Sequence, residues 1–415
     1  MLARLLIILL FALSACSGNQ GAKNTASNNT RLAVENSTSH CVQPEILPME
    51  QLKAIAELPD PFVSAQGKPL KRKVDWNCRR AQVASQIQAY ELGEKPAAIA
   101  PQKVEVNSER IRLTLEHDGR QIDFEAVIHL PTNGQAPYPA VIGLGRSFLN
   151  NESLSQLGVA VIDFPNNDLA EQLNTQSRGK GKFFQLFGED HSASAMMAWA
   201  WGISRLVDAL EIAGADLINV QRLGVTGCSR NGKGALVAGA FDERIALTLV
   251  QESGSGGVAS WRISDDQRER GQNVQTLRQI VTENVWFRED FGRFAEDAVR
   301  LPYDHHQLMG MVAPRALLVV DNGGFEWLSN ESSYAASLAA REIWKALGVE
   351  DRMGISQQTG HNHCVLPEEQ TEEVANFVRR FLLDDHSVDT QIVRTDVNYS
   401  LNWARWVPWK TPQLK

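Results

Sequence analysis

One run constrains this chain more than any other: Gly224-Val225-Thr226-Gly227-Cys228-Ser229-Arg230-Asn231-Gly232-Lys233-Gly234. It follows Leu223, at the end of what reads as a short buried strand, and leads into Ala235 to Phe241, small and apolar enough for a packed helix. A serine at such a strand-to-helix turn is forced into a strained backbone conformation. Glycines at positions 227 and 232 remove the Cβ atoms that would hold strand and helix apart. The hydroxyl is thereby presented at the carboxyl edge of a sheet. The spacing, G-x-S-x-x-G, is one residue longer than the commoner G-x-S-x-G, and a Gly-Ser turn alone occurs in many α/β proteins. Arg230 and Lys233 add to it, because a helix start disfavours cations; two of them there point to a site that meets an anion.

The rest of the chain supports a sheet around that turn. Asp118-Gly119 between alternating apolar runs, Arg110 to Glu116 and Gln121 to Leu130, predicts a hairpin. Tyr138 to Leu144, Val159 to Phe164, Leu223 to Thr226, Ile245 to Val250, Ala316 to Val320 and Met353 to Gln357 read as short strands, the last of these as the final one. Their continuous apolar character is that of parallel strands buried on both faces. Helical patterns cover Ala193 to Ile212, with one face expected on the sheet, Ser333 to Leu347 and Glu368 to Leu383. Leu52 to Leu58 and Arg79 to Leu92 are further candidate helices. This alternation predicts an α/β fold, with a mostly parallel central sheet, helices on both faces and an antiparallel N-terminal entry. Trp403, Trp406 and Trp409 in the carboxyl tail are expected to anchor it back over the domain rather than to stack on sugar rings.

Residues 1–15 read as a signal peptide: a short charged start, an apolar run too short to span a bilayer, and Leu13-Ser14-Ala15-Cys16, which resembles a bacterial lipobox with Cys16 as the lipidated residue. Residues 16–40, rich in Ser, Asn, Thr and Gly, read as a flexible tether, and 41–415 as a single catalytic domain. The expected location is therefore exported and membrane-anchored through lipid, at the periplasm or cell surface. At 415 residues and 43% hydrophobic the chain can bury a large core, and a net charge of -8 leaves no basic footprint for nucleic acid. No metal or cofactor is expected, since no Cys/His spacing suggests a metal site, and the protein is expected to be a monomer.

Four cysteines besides Cys16 allow three pairings, of which Cys41 with Cys78 and Cys228 with Cys364 are preferred. The second pair follows from the chemistry a serine nucleophile needs: a base in reach and an acid to orient that base. Gly360-His361-Asn362-His363-Cys364 follows the expected last strand and nominates His363 as the base, whereas His305 and His306 read as structural hydrogen-bonding residues. If Ser229 and His363 meet, the adjacent cysteines can reach the roughly 5.5 to 6 Å between Cα atoms that a disulfide requires. For the acid, Glu252 and Asp321, each at a strand end, stand nearly equal, with Glu326 behind them.

Several linked motifs resemble the glucuronoyl esterase family: Val225 to Ala235, Gln251-Glu252-Ser253-Gly254, Trp261-Arg262-Ile263-Ser264-Asp265, Asn273-Val274-Gln275-Thr276, Asp304-His305-His306 and His363-Cys364. The resemblance spans Val104 to Leu383 and implies an α/β-hydrolase that cleaves esters between 4-O-methyl-glucuronic acid of xylan and lignin alcohols. It further implies Ser229 as nucleophile, His363 as base, Glu252 as acid, and Arg230 as an oxyanion-stabilising group. Lys233, Gln275, Glu283 and Trp327 would hold the glucuronate ring. The bridge between elbow and histidine loop is matched by Cys228 and Cys364, while a further bridge of fungal members has no counterpart around Ser260. Asp321 stays open as an alternative acid. Two rival readings are an acetyl-xylan or other carboxylesterase, and a non-catalytic glycan-binding lipoprotein.

Overall fold

The computed structural model describes Glu35 and residues 40–415. The expected signal peptide, Cys16 and nearly all of the expected tether lie outside the described residues. The chain enters its sheet through β1 (Lys103–Val106), β2 (Arg110–His117) and β3 (Arg120–His129), all antiparallel to their neighbours. The expected hairpin places His117 opposite Arg120, and Asp118 and Gly119 both take positive φ (49° and 75°), as a two-residue turn matched to strand twist demands. Then come β4 (Tyr138–Leu144), β5 (Ala160–Phe164), β6 (Ile218–Cys228), β7 (Leu247–Gln251), β8 (Ala316–Asn322), β9 (Met353–Gln358) and β10 (Val393–Thr395). They complete a ten-stranded sheet in the order β1-β2-β3-β5-β4-β6-β7-β8-β9-β10, parallel from β5 onward.

The helices that concern the site are α1 (Lys73–Ile87), α2 (Ala195–Ala209), α3 (Arg230–Phe241), α4 (Trp261–Glu269), α5 (Leu277–Glu283), α6 (Asn330–Leu347) and α7 (Glu368–Leu382). Because side chains alternate across a strand, each parallel strand feeds two cores. In β8, Leu317 and Val319 join the core that includes α2, α3 and α6, while Leu318 and Val320 join Val374, Phe377 and Val378 of α7 on the other face. A strand buried on both faces has no polar side to show, which is why these segments are continuous apolar runs.

Four expectations need correction. Leu52 to Leu58 forms no helix; its amides reach distant partners instead, Ile55 to Val299 O (2.8 Å) and Leu58 to Trp406 O (3.0 Å). All of α2, not one face, is buried, because its outer side carries Arg205 and Asp208 in an ion-paired cluster with Arg244 and Glu35. Glu35, within the segment read as a free tether, is 3% exposed and pairs with Lys95 and Arg205 at 2.7 and 2.6 Å. Finally, β9 is not the last strand, since β10 of the tail pairs parallel with it.

The tail does wrap back: Trp406 is buried and Trp409 Nε1 donates to Leu58 O at 3.0 Å, whereas Trp403 stays exposed. His305 and His306 are fully buried hydrogen-bonding residues. Cys41 and Cys78 are bridged, with Cα atoms 5.3 Å apart, tying the start of the described body to α1.

Candidate active site

Strands β6, β7, β8 and β9 lie side by side and in parallel, so their carboxyl ends form one rim. In register, Cys228 pairs with Gln251, Gln251 with Val320, and Asn322 with Gln358. The residues that follow each strand therefore arrive at the same edge, although the ends of β6 and β9 lie more than a hundred positions apart in the chain.

Ser229 stands between β6 and α3 at φ 59° and ψ -128°, a conformation that L-residues rarely adopt. The turn closes through Ser229 N–H to Gln251 O (3.0 Å) and Lys233 N–H to Ser229 O (3.1 Å). A Cβ at Gly227 would lie 2.3 Å from Asn231 O, and one at Gly232 would lie 2.7 Å from Gln251 O, so both glycines are steric requirements. Asn231, the extra residue of the turn, donates to Leu144 O (2.9 Å) and accepts from Asn166 (3.1 Å). That amide locks the elbow to the end of β4. The first amides of α3 lack intrahelical acceptors and carry the positive end of the helix dipole, which suits an oxyanion.

Glu252, directly after β7, is 1% exposed and also has positive φ (44°). Its carboxylate works with both oxygens: Oε2 meets His363 Nδ1 at 2.7 Å and Oε1 accepts the Cys364 amide at 3.0 Å. A carboxylate can only accept, so Nδ1 carries the proton and Nε2 is left with a lone pair. No hydrogen bond joins the Ser229 hydroxyl to His363; such bonds often tighten only in the Michaelis complex. The two are held close by their neighbours, because Cys228 and Cys364 are bridged with Cα atoms 5.8 Å apart, and a ring nitrogen of His363 lies within 4.8 Å of both sulfurs. Those sulfurs are bonded to each other and offer no thiolate to a metal.

His361 in the same loop is spoken for, its nitrogens facing Gln358 O (3.0 Å) and Asn362 O (3.1 Å). Asp321, the alternative acid, is buried and hydrogen-bonds no ring. Ser333 and Gln357 face its carboxylate, yet neither oxygen has a partner of normal geometry, and burial together with the nearby Glu252 charge pushes it up to about 7. Glu326 is exposed.

The four remaining candidates form one connected group. Lys233, 3% exposed, donates to Ser253 O and to Ser255 O, the latter at 2.6 Å. Burial lowers it to about 7 against the opposing pull of Glu283 and Asp321. Gln275 Nε2 donates to Glu283 at 2.5 Å, and its backbone N–H donates to Trp327 O at 3.0 Å. Trp327 is half-buried and Glu283 exposed. Arg230 is exposed, with no ion pair or hydrogen bond from its side chain among the described residues.

Sequence reasoning missed three contributors. Trp286 lies beneath Lys233, 5.9 Å from the ammonium, with its Nε1 on Gln172. Asn231 had a signal in its place within the elbow spacing. Phe325 stacks on His363 with ring centroids 5.1 Å apart and planes at 9°; two preceding glycines gave no hint of it.

A family model described as glucuronyl esterase, fungi, matches residues 113–348. The chain is 44% identical over 363 residues to a 4-O-methyl-glucuronoyl methylesterase of Hypocrea jecorina, covering 88% of this chain and 77% of that one. It superposes with a TM-score of 0.84 on an alanine variant of a Sporotrichum thermophile glucuronoyl esterase solved in complex with methyl 4-O-methyl-beta-D-glucopyranuronate, at 41% identity over 90% of this chain and 100% of that one. A carbohydrate esterase family 15 glucuronoyl esterase from Caldicellulosiruptor kristjansonii gives 0.74 at 31% identity, covering 88% of this chain and 99% of that one.

Proposed function

The chain belongs to the glucuronoyl esterase family and is a carboxylic ester hydrolase acting on glucuronate esters; from that premise we propose which residues carry the reaction and what it releases. His363 Nε2 takes the proton of the Ser229 hydroxyl, and Ser229 Oγ attacks the ester carbonyl of a 4-O-methyl-glucuronate borne on xylan. The tetrahedral oxyanion is met by Arg230 and by the first amides of α3, a kind of contact worth about 3 to 4 kcal/mol per key donor. As it collapses, the proton on His363 passes to the departing alcohol, a lignin alcohol in the plant cell wall. Water, deprotonated by the same nitrogen, then releases the uronic acid.

Glu252 holds the tautomer throughout and stabilises the imidazolium, with Asp321 taking no direct part. Lys233, Gln275 and Glu283 bind ring hydroxyls, and Trp327 offers an apolar face to the sugar. The observation that carries the assignment is the 2.7 Å contact between Glu252 and His363 beside the bridge that ties the elbow to the histidine loop. Residues 41–415, with Glu35 docked among them, are one catalytic unit working as a monomer, exported by the leader at 1–15 and held by lipid on Cys16 through the segment that follows it.

Turnover of methyl 4-O-methyl-glucuronate by the full chain tests this reading. Ser229→Ala should lower kcat by about 10⁴-fold or more with the fold intact, and Glu283→Gln or Trp327→Ala should impair the uronate ester far more than an aryl acetate. Faster wild-type hydrolysis of aryl acetates than of the uronate ester would favour an acetyl esterase instead.

A further inference from the structure

Phe325 is the one exposed phenylalanine among the described residues, at 38%, yet it is firmly placed. Its amide donates to Asn322 O at 3.3 Å, and the Asn322 side chain donates to His361 O at 2.9 Å while accepting from the Gly324 amide at 3.0 Å. Asn322 thus ties the loop after β8 to the loop that carries His363. Two aromatic residues of that loop have different partners. Trp327 sits with Gln275 and Glu283, and Phe325 lies flat against the base. Val365, two residues past His363 in the same turn, adds a second apolar side chain that is 54% exposed.

An apolar face in water gains free energy when a ligand covers it, and the reaction itself says what could. Nδ1 of His363 is taken by Glu252, so Nε2 alone can return the proton to the oxygen of the leaving alcohol as its bond to the acyl carbon breaks. That oxygen must then lie within hydrogen-bond reach of Nε2. Whatever the oxygen carries therefore leaves the site beside His363, where Phe325 lies. Resting on the esterase reading above, we infer that Phe325 forms the leaving-group subsite and selects esters whose alcohol carries an arene one carbon from the oxygen.

The test compares benzyl and methyl D-glucuronate as substrates of the full chain, with a cyclohexylmethyl ester as an apolar ring lacking a π face. These alcohols have similar basicity, so kcat/KM reports contact rather than leaving-group chemistry. In Phe325→Ala the benzyl-to-methyl ratio of kcat/KM should fall about three- to tenfold, the size of an aromatic pair. Phe325→Leu, which keeps apolar bulk, should lose the preference for benzyl over cyclohexylmethyl while holding part of that over methyl. An equal fall for all three esters would mean that Phe325 only positions His363, and it would overturn the subsite, as would no change in any of them. A wild-type chain inert on every ester would instead strike down the esterase reading itself, so the two failures are distinct.

Discussion

Two histidine-glutamate hydrogen bonds among the described residues are nearly identical in length and opposite in use. His363 meets Glu252 at 2.7 Å and His305 meets Glu91 at 2.8 Å. The His305 side chain is fully buried and that of His363 is 30% exposed. The decisive difference is the second nitrogen. On His305 it faces Gly257 O, so both nitrogens meet acceptors and both must carry protons. On His363 the second nitrogen has no hydrogen-bond partner among the described residues and sits beside the elbow of β6 and α3. A carboxylate beside an imidazole is thus a structural tie when both ends are consumed, and a general base when one end is kept free near a hydroxyl.

Changing each acid to its amide should separate these roles most sharply. Glu252→Gln keeps the shape but can donate to Nδ1 and favour the wrong tautomer, and a drop in kcat of about 10⁴-fold is expected, by analogy with the serine-protease triad. Glu91→Gln leaves a buried imidazolium without its counter-charge, at a cost of about 3 to 5 kcal/mol in unfolding free energy, while kcat of the folded fraction stays near the wild-type value. Steady-state kinetics beside urea unfolding would read both. A catalytic collapse in Glu91→Gln with unchanged stability would erase the distinction.

The two disulfides extend the comparison at a smaller scale. Removing Cys228–Cys364 by paired serine substitutions should cost about 2 to 5 kcal/mol and lower kcat as well, because the bridge spans Ser229 and His363. Removing Cys41–Cys78 should cost stability alone, its loop being 37 residues against 136. Equal kcat in both variants would show that the hydrogen bonds of Glu252 suffice to hold the base in place.

The sheet could be read from the chain because its parallel strands are buried on both faces, so β4, β7 and β8 stand out as apolar runs, and because Asp118-Gly119 announces its hairpin. The elbow and the histidine loop were visible for a related reason: their backbone geometry demands particular residues. What stayed hidden depends on distant partners. Leu52 to Leu58 has helical spacing, but its amides are claimed by Val299 and Trp406. Local sequence placed Glu252 and Asp321 level, each at the end of a buried strand; the family resemblance favoured the first, and the three-dimensional register gives it the His363 ring. Glu91 lies in the π-helical turn after α1, and nothing around it in the chain reveals that it faces a histidine more than two hundred residues away.

The smallest expected effect is in the pH dependence of stability, and it belongs to the structural pair. Burial by itself lowers His305, but the charge and hydrogen bond of Glu91, with Asp304 adding its charge, outweigh it and hold His305 above the ordinary histidine range. Gly257 O takes its other nitrogen, and Trp261 packs against the ring at 5.1 Å between centroids. A group whose folded pKa lies above its unfolded one stabilises fully below the unfolded value and loses that contribution as pH rises through the folded one. The stability of the wild type should therefore decline from about pH 6.5 upward by more than that of Glu91→Gln, in which the raising charge is gone. Urea midpoints taken across that range would show the two curves converging as pH rises. Parallel curves would mean that His305 is neutral when folded, and that its tie to the turn after α1 is a hydrogen bond without an ion pair.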